Sequence, residues 1–173
     1  MSQTRSKITS LGHVAVIGGC GFLGVNIVKL LVERYPDTKV AAVDIRTTVN
    51  QVQNSRVSYH NCDISNSASV NELFQKLKPD VVIHTATLIY GINGGTKEAT
   101  YKVNVTGTKI LLAAAQENGV KAFVFTSSAS VVVGNTWEVI NANEEWPVLT
   151  GKAQPEYYCE TKVAGGLIQL RYL

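Results

Sequence analysis

Tyr158 and Lys162 have the residue types and the spacing to do chemistry together. They are four positions apart, so on an α-helix both side chains lie on one face. An isolated tyrosine has a pKa of about 10 and is a poor base near neutral pH. Because a neighbouring ammonium group favours the phenolate, the pair predicts a site of proton transfer. Tyr157 is the alternative to Tyr158, but its partner at the same spacing is the uncharged Thr161.

A serine stands at the end of an apolar run that precedes this pair. The run Lys121–Ser128 predicts a buried strand. Open α/β sheets place their active sites at the carboxyl ends of their strands. The hydroxyl of Ser128 could therefore hold a substrate oxygen while Tyr158 takes or returns the proton. Ser127 is the alternative to Ser128.

Three glycines at intervals of three, Gly18, Gly21 and Gly24, follow a predicted strand and open a predicted helix. Glycines cost backbone entropy, so such a pattern indicates that the turn needs the space. In a dinucleotide-binding turn the first glycine permits the tight turn, the second leaves room for a pyrophosphate, and the third lets the helix pack closely on the sheet. The N-terminus of the helix adds partial positive charge for the phosphates.

An acid occurs where this fingerprint requires one. Asp44 lies 20 residues after Gly24, at the end of the second predicted strand. Its carboxylate can accept hydrogen bonds from the ribose hydroxyls of adenosine, and it repels a 2′-phosphate. The sequence therefore predicts NAD as the cofactor, with NADP the less favoured alternative because Arg46 is close by.

Strands and helices alternate along the chain. Apolar runs predict five buried strands, at Val14–Ile17, Lys39–Ile45, Arg56–Ile64, Asp80–Thr87 and Lys121–Ser128. Apolar residues at helical spacing predict four helices, at Asn26–Tyr35, Ser67–Leu77, Thr100–Asn118 and Tyr157–Tyr172. Ser67 is the predicted N-cap of the second helix, and the glycines at 165 and 166 weaken the last one. This order predicts an α/β fold of Rossmann type, a doubly wound parallel sheet with helices on both faces.

Composition and charge narrow the classes of protein. With 173 residues the chain can form one domain, predicted over residues 13–173 as an NAD-binding unit after a flexible N-terminus, residues 1–12. A net charge of +3 with dispersed basic residues does not indicate a nucleic-acid partner. The cysteines Cys20, Cys62 and Cys159 are too widely spaced for a zinc motif, so we expect reduced cysteines and no metal. No apolar segment predicts a signal peptide or a membrane span, which favours a cytoplasmic location.

Beyond these separate features, the sequence resembles the extended short-chain dehydrogenase/reductase superfamily. The turn "GGCGFLG" matches the GxxGFLG pattern of that superfamily. The resemblance continues, in chain order, through "CDI", "HTAT", "VNVTGT", "FTSSASVV" and "YYCETK". It implies the Rossmann fold, a nicotinamide cofactor and the superfamily's serine, tyrosine and lysine catalytic set.

On the matching positions, the resemblance implies that Ser128, Tyr158 and Lys162 are catalytic and that Lys162 also binds the nicotinamide ribose. Ser128 is preferred to Ser127 because Ala129 follows it, as in the related "SSSA" pattern of sugar epimerases. The implied cofactor-binding residues are Gly18, Gly21, Phe22, Leu23, Gly24, Asp44, Asp63, Ile64, Thr85, Ala86, Asn104, Tyr158 and Lys162.

Two of these residues have alternative explanations. The acid that matches Asp63 bonds the adenine amino group, with Ile64 lining the adenine pocket, but Asp63 could instead cap a helix. Asn104 matches an asparagine near the nicotinamide, but its amide could instead be satisfied within its own helix. His84 is expected to be a structural residue at a strand end.

Within the superfamily, the chain is similar to 3β-hydroxysteroid dehydrogenases, and more narrowly to the decarboxylating sterol-4α-carboxylate 3-dehydrogenases. The stretch "VFTSSASVVVGNTWEVINANEEWPV" carries this similarity. That group oxidises a C-3 alcohol with NAD, after which the C-4 carboxylate leaves as carbon dioxide. The resemblance implies a sterol or related terpenoid substrate, work at the surface of the endoplasmic reticulum, and a homodimer.

Members of that family continue past the Tyr/Lys helix into a substrate-binding region, which we expect this chain to lack because it ends at Leu173. Two other functions remain open. One is a nucleotide-sugar epimerase or dehydratase, which shares the fold and the catalytic set. The other is an NAD-binding homologue without catalytic activity. The Val132-Val133 pair, where epimerases often have Tyr-Gly, favours the branch with apolar substrates.

Overall fold

A computed structural model describes residues 8–92, 95–135, 138–154 and 156–172. Within these ranges five strands pair in parallel, in the order β3-β2-β1-β4-β5 across the sheet. The strands are β1 (His13–Ile17), β2 (Lys39–Asp44), β3 (Val57–Asn61), β4 (Val81–His84) and β5 (Ala122–Phe125). The predicted parallel sheet is confirmed, and every strand ends at the same edge of the sheet.

The helices cover both faces of this sheet. They are α1 (Phe22–Arg34), α2 (Ser67–Leu77), α3 (Lys97–Tyr101), α4 (Thr108–Glu117) and α5 (Tyr157–Tyr172). Side chains alternate along β1, so Val14 and Val16 pack with α1 in one cluster while Ala15 and Ile17 pack with α2 and α4 in the other. This two-sided core is the doubly wound arrangement that the continuous apolar strands predict.

The longest predicted helix has a different internal structure. The prediction of one α-helix over Thr100–Asn118 is wrong, because α3 begins at Lys97 and a π-helical segment, Lys102–Gly107, separates it from α4. Within this segment the carbonyl of Asn104 accepts a hydrogen bond from the hydroxyl of Thr108 at 2.7 Å. Single π-helical turns of this kind often occur at functional sites.

Other predicted bounds change by a few residues. The last four strands end before their predicted limits, so the polar residues after them belong to loops. Helix α2 is capped by Asn66, whose side chain accepts from the backbone of Ser69 at 3.2 Å, so the prediction of Ser67 as the cap is wrong. Helix α5 continues without a break through the glycines at 165 and 166.

The two ends of α1 are held differently. Its C-terminus is held by Arg56, whose guanidinium donates to the carbonyls of Val32 at 2.6 Å, Tyr35 at 2.9 Å and Thr38 at 3.3 Å. These bonds satisfy carbonyl groups near a helix end and suit the negative end of the helix dipole. Among the described residues, no side chain caps its N-terminus at Gly21.

Of the predicted N-terminal segment, residues 1–7 lie outside the described residues. Leu11 donates its backbone N–H to Thr38 at 2.8 Å, which joins the described part of this segment to the start of β2. All three cysteines are buried and free, as predicted. In the described ranges, none of the helices combines the length and the apolar character needed to span a membrane.

Candidate functional site

Two of the three glycines in the turn between β1 and α1 lie where a side chain would clash. Gly18 has a φ of +82°, and a Cβ atom on it would lie 2.7 Å from the backbone nitrogen of Ala86. A Cβ on Gly24 would overlap the carbonyl oxygen of Gly18 and lie 2.8 Å from its carbonyl carbon. A Cβ on Gly21 would meet only that same oxygen, at 3.2 Å. The first and third glycines therefore serve internal packing, and the second faces free space, as the fingerprint predicts.

The N-terminus of α1 presents backbone donors that have no acceptor among the described residues. In the described part of the chain, the N–H groups of Phe22, Leu23 and Gly24 have no acceptor, and Gly21 provides no side-chain cap. The side chain of Phe22 is 88% exposed. Free N–H groups at the positive end of a 13-residue helix can accept an anion such as a pyrophosphate as their partner.

Asp44 lies beside this turn at the end of β2. One carboxylate oxygen accepts from the backbone N–H of Cys20 at 3.1 Å, and the other accepts from that of Arg46 at 3.1 Å. The carboxylate is half-buried, so each oxygen retains lone pairs that a ribose could use. Asn50 also holds the turn, because its side-chain amide donates to the carbonyl of Cys20 at 2.8 Å. Nothing in the sequence distinguished Asn50 from the other polar residues of its loop.

The loop after β3 contains Asp63 and Ile64. One oxygen of Asp63 accepts from the hydroxyl of Ser65 at 2.7 Å and from its backbone N–H at 2.9 Å, and these bonds lower the pKa of the Asp63 carboxyl group. Asn66 caps α2, so the alternative explanation of Asp63 as the helix cap is wrong. Ile64 is buried against Gly107, where a Cβ would lie 2.8 Å from the Ile64 side chain.

The loop after β4 runs against the glycine turn. The hydroxyl of Thr85 donates to the carbonyl of Ile17 at 2.8 Å, and the backbone of Ala86 donates to the same carbonyl at 3.0 Å. These two residues therefore lie next to Gly18, and their position beside the cofactor stays a prediction.

Asn104 is buried, with 3% of its surface exposed, and its side chain makes four hydrogen bonds. Its oxygen accepts from Thr87 at 3.2 Å and from the backbone of Leu88 at 2.8 Å. Its nitrogen donates to the carbonyl of Leu88 at 2.9 Å and to the hydroxyl of Thr161 at 3.0 Å. The explanation that its amide is satisfied within its own helix is wrong, because all four bonds reach the loop after β4 or α5. The predicted role beside the nicotinamide stays a prediction.

Ser128 ends the segment that follows β5. It is half-buried, and its hydroxyl oxygen lies 2.6 Å from that of Ser130 and accepts from the Ser130 backbone at 3.2 Å. Ser127, the alternative, is exposed. In the described residues no hydrogen bond holds the Ser127 hydroxyl. The geometry favours Ser128 as the serine with a fixed hydroxyl.

Lys162 is the buried cation of the site, with 4% of its surface exposed. Its ammonium donates to the carbonyl of Thr126 at 2.6 Å and lies 4.5 Å from the centre of the Phe125 ring. Desolvation by burial lowers the pKa of Lys162 to about 8. The residue is therefore still mainly cationic at neutral pH, although little water surrounds it. The backbone carbonyl of Thr126 gave no signal in the sequence.

The two candidate tyrosines occupy different environments. Tyr158 is half-buried, one helical turn before Lys162. The ring of Tyr157 instead contacts that of Tyr90, with centroids 5.9 Å apart, and the ammonium of Lys97 at 5.4 Å. Burial and the nearby carboxylate of Glu160 raise the pKa of Tyr157, which is the wrong direction for a base. These observations favour Tyr158.

His84, at the end of β4, is a buried neutral residue. The hydroxyl of Thr108 donates to Asn104, so the ring nitrogen Nε2 of His84 must donate to Thr108, 3.0 Å away. Its Nδ1 atom has no partner among the described residues. Burial lowers the pKa of His84 to about 3, and the positive charge of Lys162 acts in the same direction. Charging this ring would cost both desolvation and repulsion, so its role is structural.

Sequence comparisons identify the family of the chain. Residues 15–168 match the sequence model of the 3-beta hydroxysteroid dehydrogenase/isomerase family. The decarboxylating sterol-4-alpha-carboxylate 3-dehydrogenase of Candida albicans is 35% identical over 161 residues, which cover 90% of this chain and 44% of that protein. The 3-beta-hydroxysteroid dehydrogenase of Mycolicibacterium neoaurum is 36% identical over 160 residues, covering 90% of this chain and 42% of that protein. The chain thus spans less than half the length of these curated relatives.

A solved structure of an epimerase has the same fold. The UDP-glucose 4-epimerase of Thermus thermophilus, in complex with NAD, superposes with a TM-score of 0.78 at 28% identity. The match covers 92% of this chain and 50% of the epimerase chain. The Rossmann fold of this chain is therefore also the fold of half of the epimerase chain.

Proposed function

Because the chain belongs to the 3-beta hydroxysteroid dehydrogenase/isomerase family, we propose that it forms the cofactor-binding and proton-transfer half of an NAD-dependent 3β-hydroxysteroid dehydrogenase. The single observation that carries the proposal is the placement of two features at the carboxyl edge of the sheet, one on each side of β4. These are the uncapped N-terminus of α1 after β1 and the buried ammonium of Lys162 beside the end of β5. The first suits the phosphates of a dinucleotide, and the second suits a site that removes a proton from an alcohol.

The residues fit NAD at three points. The free N–H groups of residues 22–24 can bind the pyrophosphate. Because Gly21 has no side chain, a phosphate has room to approach the backbone. The carboxylate of Asp44, one strand away, can accept from the ribose hydroxyls and repels a 2′-phosphate. When bound, NAD supplies the acceptor for the hydride that leaves the alcohol carbon.

The chain's own residues bind the oxygen of the substrate hydroxyl and accept its proton. The hydroxyl of Ser128, held by Ser130, binds the oxygen of the 3β-hydroxyl group. Tyr158 as phenolate removes the proton of that hydroxyl, and the proton then resides on the Tyr158 oxygen. Lys162 retains its positive charge at neutral pH, and a cation on the same face of α5 would favour the deprotonated tyrosine during the transfer.

We propose a sterol with a carboxylate at C-4 as the substrate. The support is the similarity to the Candida albicans enzyme, whose name describes a decarboxylating sterol-4-alpha-carboxylate 3-dehydrogenase. Oxidation at C-3 places a ketone β to this carboxylate, and a β-keto acid loses carbon dioxide without a further catalytic group. The decarboxylation therefore requires no residue beyond those named.

The first experiment is a calorimetric titration of the folded chain with NAD and, separately, with NADP. We expect selective binding of NAD, and Asp44→Asn should weaken it about 10- to 100-fold, because a hydrogen bond to a charged group is lost. Asp37→Asn is the matched control, since Asp37 is an exposed acid before the opposite end of β2. A folded chain that binds neither nucleotide would contradict the proposal. NAD binding by the chain, without oxidation of a 3β-hydroxysteroid by a protein that also carries the family's substrate-binding region, would instead identify a non-catalytic NAD-binding homologue.

A further inference from the structure

We propose that Thr161 is a positioning residue, whose hydroxyl joins the π-helical segment to the backbone of Tyr158 and thereby sets the orientation of the helical turn that carries Tyr158 and Lys162. The inference rests on the proposed function only for the catalytic role of Tyr158. The link itself is a property of the folded chain, with or without a cofactor.

The Thr161 hydroxyl is buried, and it donates one hydrogen bond and accepts another. The residue is 1% exposed. Its hydroxyl donates to the carbonyl of Tyr158 at 2.7 Å and accepts from the side-chain nitrogen of Asn104 at 3.0 Å. A bond from a threonine to the carbonyl three residues earlier is local, but the bond to Asn104 spans 57 positions of sequence. Thr161 therefore fixes its own turn against a distant element.

The other end of this link is rigid. The remaining bonds of the Asn104 side chain hold it to Thr87 and to both backbone groups of Leu88, in the loop after β4. A side chain with all its groups bonded in a buried site has one favoured orientation. Asn104 is therefore a fixed point from which the position of α5 can be set.

A second contact places the same face of α5 on Asn104. Gly165 lies four residues after Thr161, so the two share a face of the helix. A Cβ atom on Gly165 would lie 3.1 Å from the carbonyl oxygen of Asn104. This face of α5 is held on the π-helical segment. Lys162, the residue after Thr161, projects about 100° further around the helix axis. That rotation turns Lys162 toward β5, where its ammonium meets Thr126.

The test removes the hydroxyl group of Thr161 and leaves the side-chain volume nearly unchanged. Thr161→Val removes both hydrogen bonds, and Thr161→Ser keeps the hydroxyl. Thr100→Val is the matched control, because Thr100 is also a fully buried threonine, in α3, and its hydroxyl has no partner among the described residues. The same chemical change is thus made at a bonded and at an unbonded hydroxyl.

The readout is the pKa of Lys162. It is measured by NMR on protein labelled with 13C at the lysine ε carbon, and the Lys162 signal is identified by its absence from the spectrum of Lys162→Arg. In the unmodified chain the pKa is expected at about 8, against an ordinary value of 10.5. Thr161→Val should raise it toward the ordinary value as the ammonium leaves its buried contact, whereas Thr161→Ser and Thr100→Val should leave it unchanged. Loss of stability alone would not alter the titration of the folded state.

An unchanged Lys162 titration in folded Thr161→Val would overturn the inference, whatever its melting temperature. If that variant does not fold, amide exchange in the unmodified chain decides. The Asn104 side-chain protons should exchange far more slowly than those of the exposed Asn26, and equal rates would overturn it. Failure of NAD binding would contradict the proposed function and leave this result standing.

Discussion

Replacing Gly24 by alanine should destabilise the chain, although alanine is the better helix former. The new Cβ would overlap the Gly18 oxygen and lie 2.8 Å from both the Gly18 carbonyl carbon and the Gly19 Cα. All these atoms are backbone, and the N–H groups of Gly18 and Gly19 are bonded to the carbonyl of Val43 at 2.8 and 3.1 Å. The turn therefore cannot move away without breaking its attachment to β2.

The two opposing effects can be compared in size. Overpacking of a tight site costs about 3 kcal/mol at the upper end of its usual range. The better helix propensity of alanine returns about 1 kcal/mol. The free energy of unfolding should therefore fall by about 2 kcal/mol, which for a chain of this size lowers the melting temperature by about 4–8 °C.

Gly166→Ala provides the matched control, because the same change is made at a second helical glycine. There the new Cβ would lie 3.9 Å from the Phe125 ring, an ordinary contact. We expect Gly166→Ala to stabilise the chain by about 0.5–1 kcal/mol. Urea denaturation followed by circular dichroism measures both variants. If Gly24→Ala were as stable as the unmodified chain, the steric reasoning about the glycine turn would be refuted.

Two further predictions concern stability. Burial lowers the pKa of His84 to about 3 from 6.5. Between these pH values the unfolded chain binds a proton that the folded chain does not. The free energy of unfolding should therefore decrease as the pH falls through this range. His84→Gln should reduce that slope in urea titrations at successive pH values, and an unaltered slope would contradict the role assigned to the buried ring. Arg56→Ala should lower the free energy of unfolding by about 1–3 kcal/mol, because three carbonyl groups near the end of α1 lose a charged donor. Arg34→Ala, at an exposed arginine in the last turn of the same helix, is the control, and equal losses for both variants would show that Arg56 has no special contribution.

The fold could be predicted because its signals are local. Each strand of the sheet is a short apolar run, and burial on both faces requires apolar residues at successive positions. The positive φ of Gly18 and the close approach of Gly24 likewise follow from glycines at fixed spacing. The carboxyl ends of parallel strands meet at one edge of the sheet, so the order of elements already placed Asp44 and Ser128 at that edge.

The candidate site could be predicted only in part, because several of its bonds connect positions far apart in sequence. The motifs identified Lys162, but the Thr126 carbonyl that receives its ammonium is 36 positions away and has no side-chain signal. Asn50 reaches the glycine turn across 30 positions. The N-cap of α2 was misplaced by one residue because Asn66 and Ser67 are both good capping residues, and only backbone geometry separates them.

The sequence by itself therefore determined the parallel α/β sheet, the glycine turn with its acid, and the choice of a serine, a tyrosine and a lysine as candidate chemistry. Tertiary structure decided how these residues are held. It showed Asn104 fully bonded to the loop after β4 and to Thr161, and it separated Tyr157, whose ring lies against Tyr90 and the ammonium of Lys97, from Tyr158. The physical reason is that apolar periodicity and glycine spacing act over a few residues, whereas the hydrogen bonds of buried polar groups are completed by whichever elements the core brings together.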